Sequence, residues 1–150
     1  PVELVFDQAL GDVFSVRLAG NIASDKAIGS LEFASKYLGS KLIVVMGHTA
    51  CGAVKAACDD FKDGHIGEII NLIKPAIRHE KTVNAGERNS SNPDFVEKIN
   101  RLSVHYQIDT IIRSSDIVED MIQAKRIAII GAIYDIATGK VKFLEETYVH

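Results

Sequence analysis

Features that mark membrane, secreted or nucleic-acid-binding chains are scarce in this sequence. No apolar run approaches the ~20 residues needed to cross a bilayer, and no signal-peptide pattern opens the chain. A membrane is therefore not an expected partner. Cysteine occurs only at positions 51 and 58. On one helix, at about 1.5 Å rise per residue, their Cα atoms would lie roughly 10 Å apart. That exceeds the reach of a disulfide, roughly 7 Å, and points to a reducing, cytoplasmic compartment. Basic residues number 17 against 20 acidic ones, for a net charge of −3. No block of like charge occurs, so nucleic acid is not the expected main partner. Internal repeats, low-complexity tracts, Cys-x-x-Cys and Gly-x-Gly-x-x-Gly are all missing. Gly47 to Gly52 has the glycine spacing of a phosphate loop, but Ala53-Val54 stand where that loop needs Lys-Ser/Thr.

What is present suffices for one domain over residues 1–150. Hydrophobic residues make up 47% of the chain and charged ones 25%, the balance of a globular protein. "VFSVR" (13–17) reads as a short strand. Ile28, Leu31, Ala34 and Leu38 recur at helical spacing, with Gly39 as the C-cap. "KLIVVMG" (41–47) is continuously apolar and β-branched, the pattern of a parallel strand covered on both faces. A helix is predicted from about Cys51 to Asp60. A second, with Ile66, Ile69, Ile70, Ile73 and Ile77, is expected to break or bend near Pro75. Asn92-Pro93-Asp94 opens a helix with Phe95, Ile99, Leu102 and Tyr106 on one face, and a further helix carries Ile117, Val118, Met121 and Ile122. "RIAIIGAIYD" (126–135), an "ATGK" turn and "VKFLEE" close the chain as two strands. The fold class is α/β, with a mainly parallel central sheet flanked by helices.

Ligands of such sheets sit beyond the carboxyl ends of the strands. "VVMGHTACGAVKAA" (44–57) places His48 and Cys51 at such an end. Neutral imidazole and thiolate are favoured zinc ligands, and the thiolate is stabilised near a helix start. Gly47 and Gly52 are expected to let the backbone turn tightly around the pair. Alone, a His-x-x-Cys also reads as core packing, since free cysteine is a common buried residue and a catalytic zinc needs three protein ligands. Cys58 reads as a core residue too far along the helix to share a metal. His65, His79, His105 and His150 read as solvated or locally hydrogen-bonded.

Three ordered blocks narrow the reading. "PVELVFDQALGDVFSVRLAGN", "SLEFASKYLGSKLIVVMGHTACGAVKAA" and "RIAIIGAIYDIATGKVKFL" are similar to successive segments of the β-class carbonic anhydrases, which the chain resembles over nearly its whole length. The resemblance implies a zinc lyase that reversibly hydrates carbon dioxide to bicarbonate, the zinc activating a water. It implies His48 and Cys51 as two of three metal ligands, Phe14, Ala19 and Gly52 as lining of a small apolar substrate pocket, and a homodimer or higher homo-oligomer. Phe33 falls where many members have tyrosine. Arg17 matches a family arginine that pairs with a carboxylate near the dimer interface or serves as scaffold.

The family's third ligand belongs to a Cys-x-Asp-Ser-Arg motif on an earlier, central strand, and these residues do not contain that motif. Relative to the family the domain is therefore expected to be N-terminally incomplete, with a strand edge left bare. Two other readings stay open. One is a non-catalytic oligomeric scaffold or binding module. The other is a zinc hydrolase for another small linear molecule such as carbon disulfide.

Overall fold

A computed structural model describes residues 1–150. In chain order it contains α1 (Val2–Val5), α2 (Asp25–Lys36), β1 (Leu42–His48), α3 (Gly52–Cys58), α4 (Ile66–His79), α5 (Pro93–Ser114), α6 (Asp116–Gln123), β2 (Ala128–Tyr134) and β3 (Val141–Val149), with short 3-10 turns at Ala19–Asn21 and Ala85–Glu87. The fold is α/β. No helix is long and apolar enough to cross a membrane.

Helix ends follow local chemistry. The Ser24 hydroxyl takes the Ala27 N–H at the start of α2. The Asn92 carboxamide oxygen takes the Phe95 N–H at the start of α5. Ser115 separates α5 from α6, its hydroxyl accepting the Val118 N–H and donating to Glu32. Such caps satisfy amides that a helix leaves unpaired, each contributing about 1 kcal/mol.

The sheet has the order β1-β2-β3. β1 runs parallel to β2, pairing Leu42 with Ala128 through His48 with Tyr134. β2 and β3 are antiparallel, with an irregularity between Ile129 and Gly131. Alternation puts Ile43, Val45, Ile129 and Leu144 on one face. All four are buried in a cluster with Val104, Ile108 and Ile111 of α5 and Val118, Met121 and Ile122 of α6. A second cluster joins Val54 and Ala57 of α3, Ile70 and Ile73 of α4, and Phe95, Val96 and Ile99 of α5. α5 thus belongs to both. At their boundary the fully buried Gln107 accepts the Ala23 N–H (2.8 Å) and donates to the Leu72 carbonyl (2.9 Å).

The close seat of α5 on the sheet needs two glycines. A Cβ on Gly131 would lie 2.7 Å from Val104 Cγ1 and 3.1 Å from the Thr147 hydroxyl, and one on Gly47 would lie 3.1 Å from Val104 Cγ2 and 2.6 Å from Asn100 Oδ1.

Several expectations are corrected. Residues 13–17 form no strand but an extended segment beside β1. α4 passes through Pro75 unbroken. The missing proline N–H costs one hydrogen bond to the carbonyl of Asn71, which sits on an exposed residue and can be hydrated. Leu38 lies past the end of α2 and is exposed. On the expected face of α5, Phe95 and Ile99 are buried and Leu102 packs against the second cluster, but Tyr106 is exposed, and a further buried stripe runs through Val96, Asn100, Val104 and Ile108. β1 is not covered on both faces. Its burial alternates, with Val44 and Met46 only half-buried.

β1 is also an edge strand. The Lys41 carbonyl and Thr49 N–H bond toward β2, so alternation turns the backbone polar groups of Leu42, Val44 and Met46 to the other side, where no strand lies. This is the bare edge expected where the family's central strand is not among these residues.

Glu80 fastens the loop between α4 and α5. Only 5% exposed, its carboxylate accepts the Thr82 hydroxyl and the N–H groups of Thr82 and Val83, and meets Arg88 at 2.7 Å. Arg88 also donates to the Glu80 and Ile77 carbonyls and covers the Phe95 ring. The Thr82 hydroxyl above all, then the two amides and Arg88, hold the Glu80 carboxyl down at about 2, against an ordinary 4.5.

Two outcomes follow from this packing. Gly131→Ala should destabilise the fold by about 1–3 kcal/mol, because Val104 is too branched to swing aside; thermal unfolding measures it. A carboxyl lowered on folding stabilises above its unfolded value and loses that contribution as pH falls toward the folded value. The stability gap between wild type and Glu80→Gln should therefore be constant above pH 5 and shrink between pH 4.5 and about 2. Urea unfolding across that range checks it, and a gap independent of pH would refute the assignment.

Candidate metal and substrate site

His48 ends β1 and Cys51 is the N-cap of α3. Thr49 and Ala50 join them. Thr49 extends the pairing with β2 through its N–H to the Tyr134 carbonyl (2.9 Å). Its hydroxyl accepts the Ile136 N–H (3.1 Å) and faces Asp135 at 3.5 Å. The Ala137 N–H and Thr138 hydroxyl hold the Asp135 carboxyl below its usual range. Ala50 takes the left-handed conformation, φ +55°. The expectation that Gly47 and Gly52 make this turn is corrected. Neither has positive φ. Gly47 is needed for the approach of α5, and a Cβ on Gly52 would meet nothing within 4 Å.

The His48 tautomer follows from its partner. Nδ1 lies 2.9 Å from the Thr49 carbonyl. A carbonyl only accepts, so Nδ1 carries a hydrogen, and in the neutral ring Nε2 keeps its lone pair. A metal-ligating histidine is typically fixed in this way, its second nitrogen donating to a carbonyl. Cys51 is 3% exposed and not disulfide-bonded. Borderline nitrogen and soft sulfur suit zinc. The two side chains therefore fit as part of a zinc donor set. No third histidine, cysteine, aspartate or glutamate groups with them, so they do not complete a catalytic site by themselves.

Both residues line a cavity of about 720 Å³ that runs along the bare edge of β1, and Phe14, Ala19 and Gly52 line it too. All five residues singled out from the sequence thus share one cavity. Val13, Leu18 and Val45 add to its apolar wall. Arg17 also lines it and makes no ion pair, whereas Phe33 of α2 lies outside it, its ring tilted against that of Tyr37 at the helix end.

The other titratable candidates stay apart. Cys58 is half-buried beside the second cluster, and burial pushes its thiol up to about 11. His65 contacts Glu68, His105 contacts Glu146, and His150 stacks on Tyr148. Sequence reasoning missed Thr49, Glu97, Asn100 and Asp135. Asn100 had a signal: it interrupts the apolar i+4 ladder Val96–Val104–Ile108, where a polar residue requires partners.

The carbonic anhydrase family's sequence profile matches residues 1–141. Carbonic anhydrase 2 of Mycobacterium tuberculosis is 31% identical over 143 residues, covering 92% of this chain and 65% of that protein. The carbonic anhydrase of Mycolicibacterium smegmatis is 30% identical, with 93% and 66% covered. The chain thus spans about two thirds of the length of these relatives. Among solved structures, the Coccomyxa β-carbonic anhydrase in complex with acetazolamide superposes with a TM-score of 0.78 at 29% identity, covering 95% of this chain and 65% of that one. A tetrameric β-carbonic anhydrase from Sordaria macrospora shares the fold with a TM-score of 0.81 at 24% identity, with 96% and 74% covered. Sequence profile, relatives and architecture agree, and the chain belongs to the β-carbonic anhydrase family.

Proposed function

We propose that this domain contributes two zinc donors, His48 and Cys51, and the substrate pocket of an enzyme that reversibly hydrates carbon dioxide to bicarbonate. The observation that carries the reading is the shared cavity, in which an imidazole with a free Nε2 and a buried thiol meet an apolar wall. Zinc, when bound, supplies Lewis-acid activation of water near neutral pH. The chain's own residues do the rest. Phe14 and Ala19 offer the apolar surface that a small linear gas prefers to water, and Gly52 leaves the space before the donors open. The third donor comes from outside residues 1–150.

Zinc content after metal loading and dialysis tests this. In protein that includes the family's cysteine motif, close to one zinc per chain is expected. His48→Ala and Cys51→Ser should each lose the metal and carbon dioxide hydration, and Cys58→Ser should keep both. Residues 1–150 alone should hold zinc weakly and hydrate carbon dioxide slowly; fast hydration by that protein would overturn the missing-donor reading.

One observation favours a second reading, a non-catalytic oligomeric module: no group of three metal-ligating side chains comes together. Retained oligomers without metal, in protein that carries the cysteine motif, would support it.

We also infer a homo-oligomer. Phe14, Val16, Leu18 and Leu42 are exposed and line the cavity along the bare edge of β1, the kind of open apolar surface that interfaces cover, and the Sordaria relative is tetrameric. Sedimentation should show dimers or larger species at micromolar concentration, and a monomer throughout would count against it.

A further inference from the structure

We propose that Glu97 and Asn100 of α5 are positioning residues that hold the His48–Cys51 turn in a metal-ligating shape. The inference rests on the reading of His48 and Cys51 as donors.

The turn has a weak point. Ala50 is left-handed without being glycine, a conformation that costs about 1 kcal/mol or more unless its surroundings impose it. Glu97 imposes it. One carboxylate oxygen accepts the Ala50 N–H at 2.9 Å. The other accepts from the Asn100 carboxamide at 3.3 Å. That same Asn100 nitrogen donates to the His48 carbonyl at 2.9 Å. The His48 carbonyl points to the bare side of β1, where no neighbouring strand can satisfy it. One connected network therefore grips the turn at His48 and at Ala50, one residue before Cys51.

Asn100 has a fixed orientation. Its nitrogen faces two acceptors, so the reversed carboxamide would set oxygen against oxygen. Its Oδ1 is buried without a partner, directed at Gly47, where any Cβ would lie 2.6 Å away. An unsatisfied buried oxygen is costly. An apolar residue would serve simple core packing better, since Val96 and Val104 flank this position on the same stripe. The carboxamide is explained by the two hydrogen bonds it makes toward the turn.

The variants Glu97→Ala, Glu97→Gln, Asn100→Ala and Asn100→Asp test the proposal on protein that includes the family's cysteine motif, with Co²⁺ as probe. Thiolate-to-cobalt absorption, with Cys51→Ser as the control that assigns the share of Cys51, reports coordination, and titration gives the affinity. Loss of a hydrogen bond that orients a ligand weakens metal binding about 10–100-fold, and Glu97→Ala and Asn100→Ala should fall in that range. Glu97→Gln should recover part of the loss, because its carbonyl still accepts the Ala50 N–H. Asn100→Asp should bind more weakly than Asn100→Ala, since its carboxylate faces the His48 carbonyl and Glu97. Amide exchange in the metal-free protein is the second readout. The Ala50 amide should exchange at least about tenfold faster in Glu97→Ala while Val45 in β1 is unchanged, a local effect that general destabilisation would not produce.

Wild-type cobalt affinity in both alanine variants would overturn the proposal. Absence of the thiolate band in the wild type would instead defeat the donor reading. Amide exchange then decides the holding role by itself: selective acceleration at Ala50 upholds it, and unchanged exchange refutes it.

Discussion

The close contact between α5 and the parallel pair β1–β2 is the constraint on which the rest of the structure depends. It is possible only because Gly47 and Gly131 leave room for Asn100 and Val104. With the helix that near, its C-terminal half closes one apolar cluster with α6 and the sheet, and its N-terminal half closes the other with α3 and α4. The same proximity brings Glu97 and Asn100 within hydrogen-bonding distance of the turn after β1. Packing and site geometry therefore have one origin, a missing side chain on each of two adjacent strands.

Much of this was legible in the sequence, for physical reasons. The runs at 41–47 and 126–135 have the composition of buried strands, and both form strands, though β1 is covered on one face only. Asn92-Pro93 places a side-chain acceptor and an N–H-free residue at a helix start, and α5 begins there. His48 and Cys51 were conspicuous because polar, metal-loving side chains followed an apolar run. Other features lay beyond local pattern. Residues 13–17 have strand-like side chains but find no hydrogen-bonding partner. Pro75 fails to break α4 because apolar burial on Ile70, Ile73 and Ala76 outweighs one lost hydrogen bond. The roles of Glu97 and Asn100 depend on partners 47 and 52 positions away, which no periodicity can announce.

The bare edge of β1 ties fold to function differently. An edge with unpaired backbone groups invites another strand, and here it borders the cavity lined by His48 and Cys51. Whatever covers that edge also encloses the cavity. On the proposed reading, the apolar surface left open and the third donor still to be supplied are two aspects of one geometry.

The turn from His48 to Cys51 has a consequence for how the protein acquires its chemistry. The two side chains are near neighbours in the chain, yet the contacts that shape the segment between them reach forward to Glu97, Asn100 and Asp135. β1 itself pairs with a strand that begins only at Ala128. Contacts of such separation form late, because the long loops between them must close first. During synthesis the segment emerges early but stays unshaped until β2 has left the ribosome. A nascent chain thus carries an exposed histidine and thiol without the geometry of the folded turn. On the proposed reading of the two as zinc donors, metal loading would be a step of the finished fold and not of its assembly.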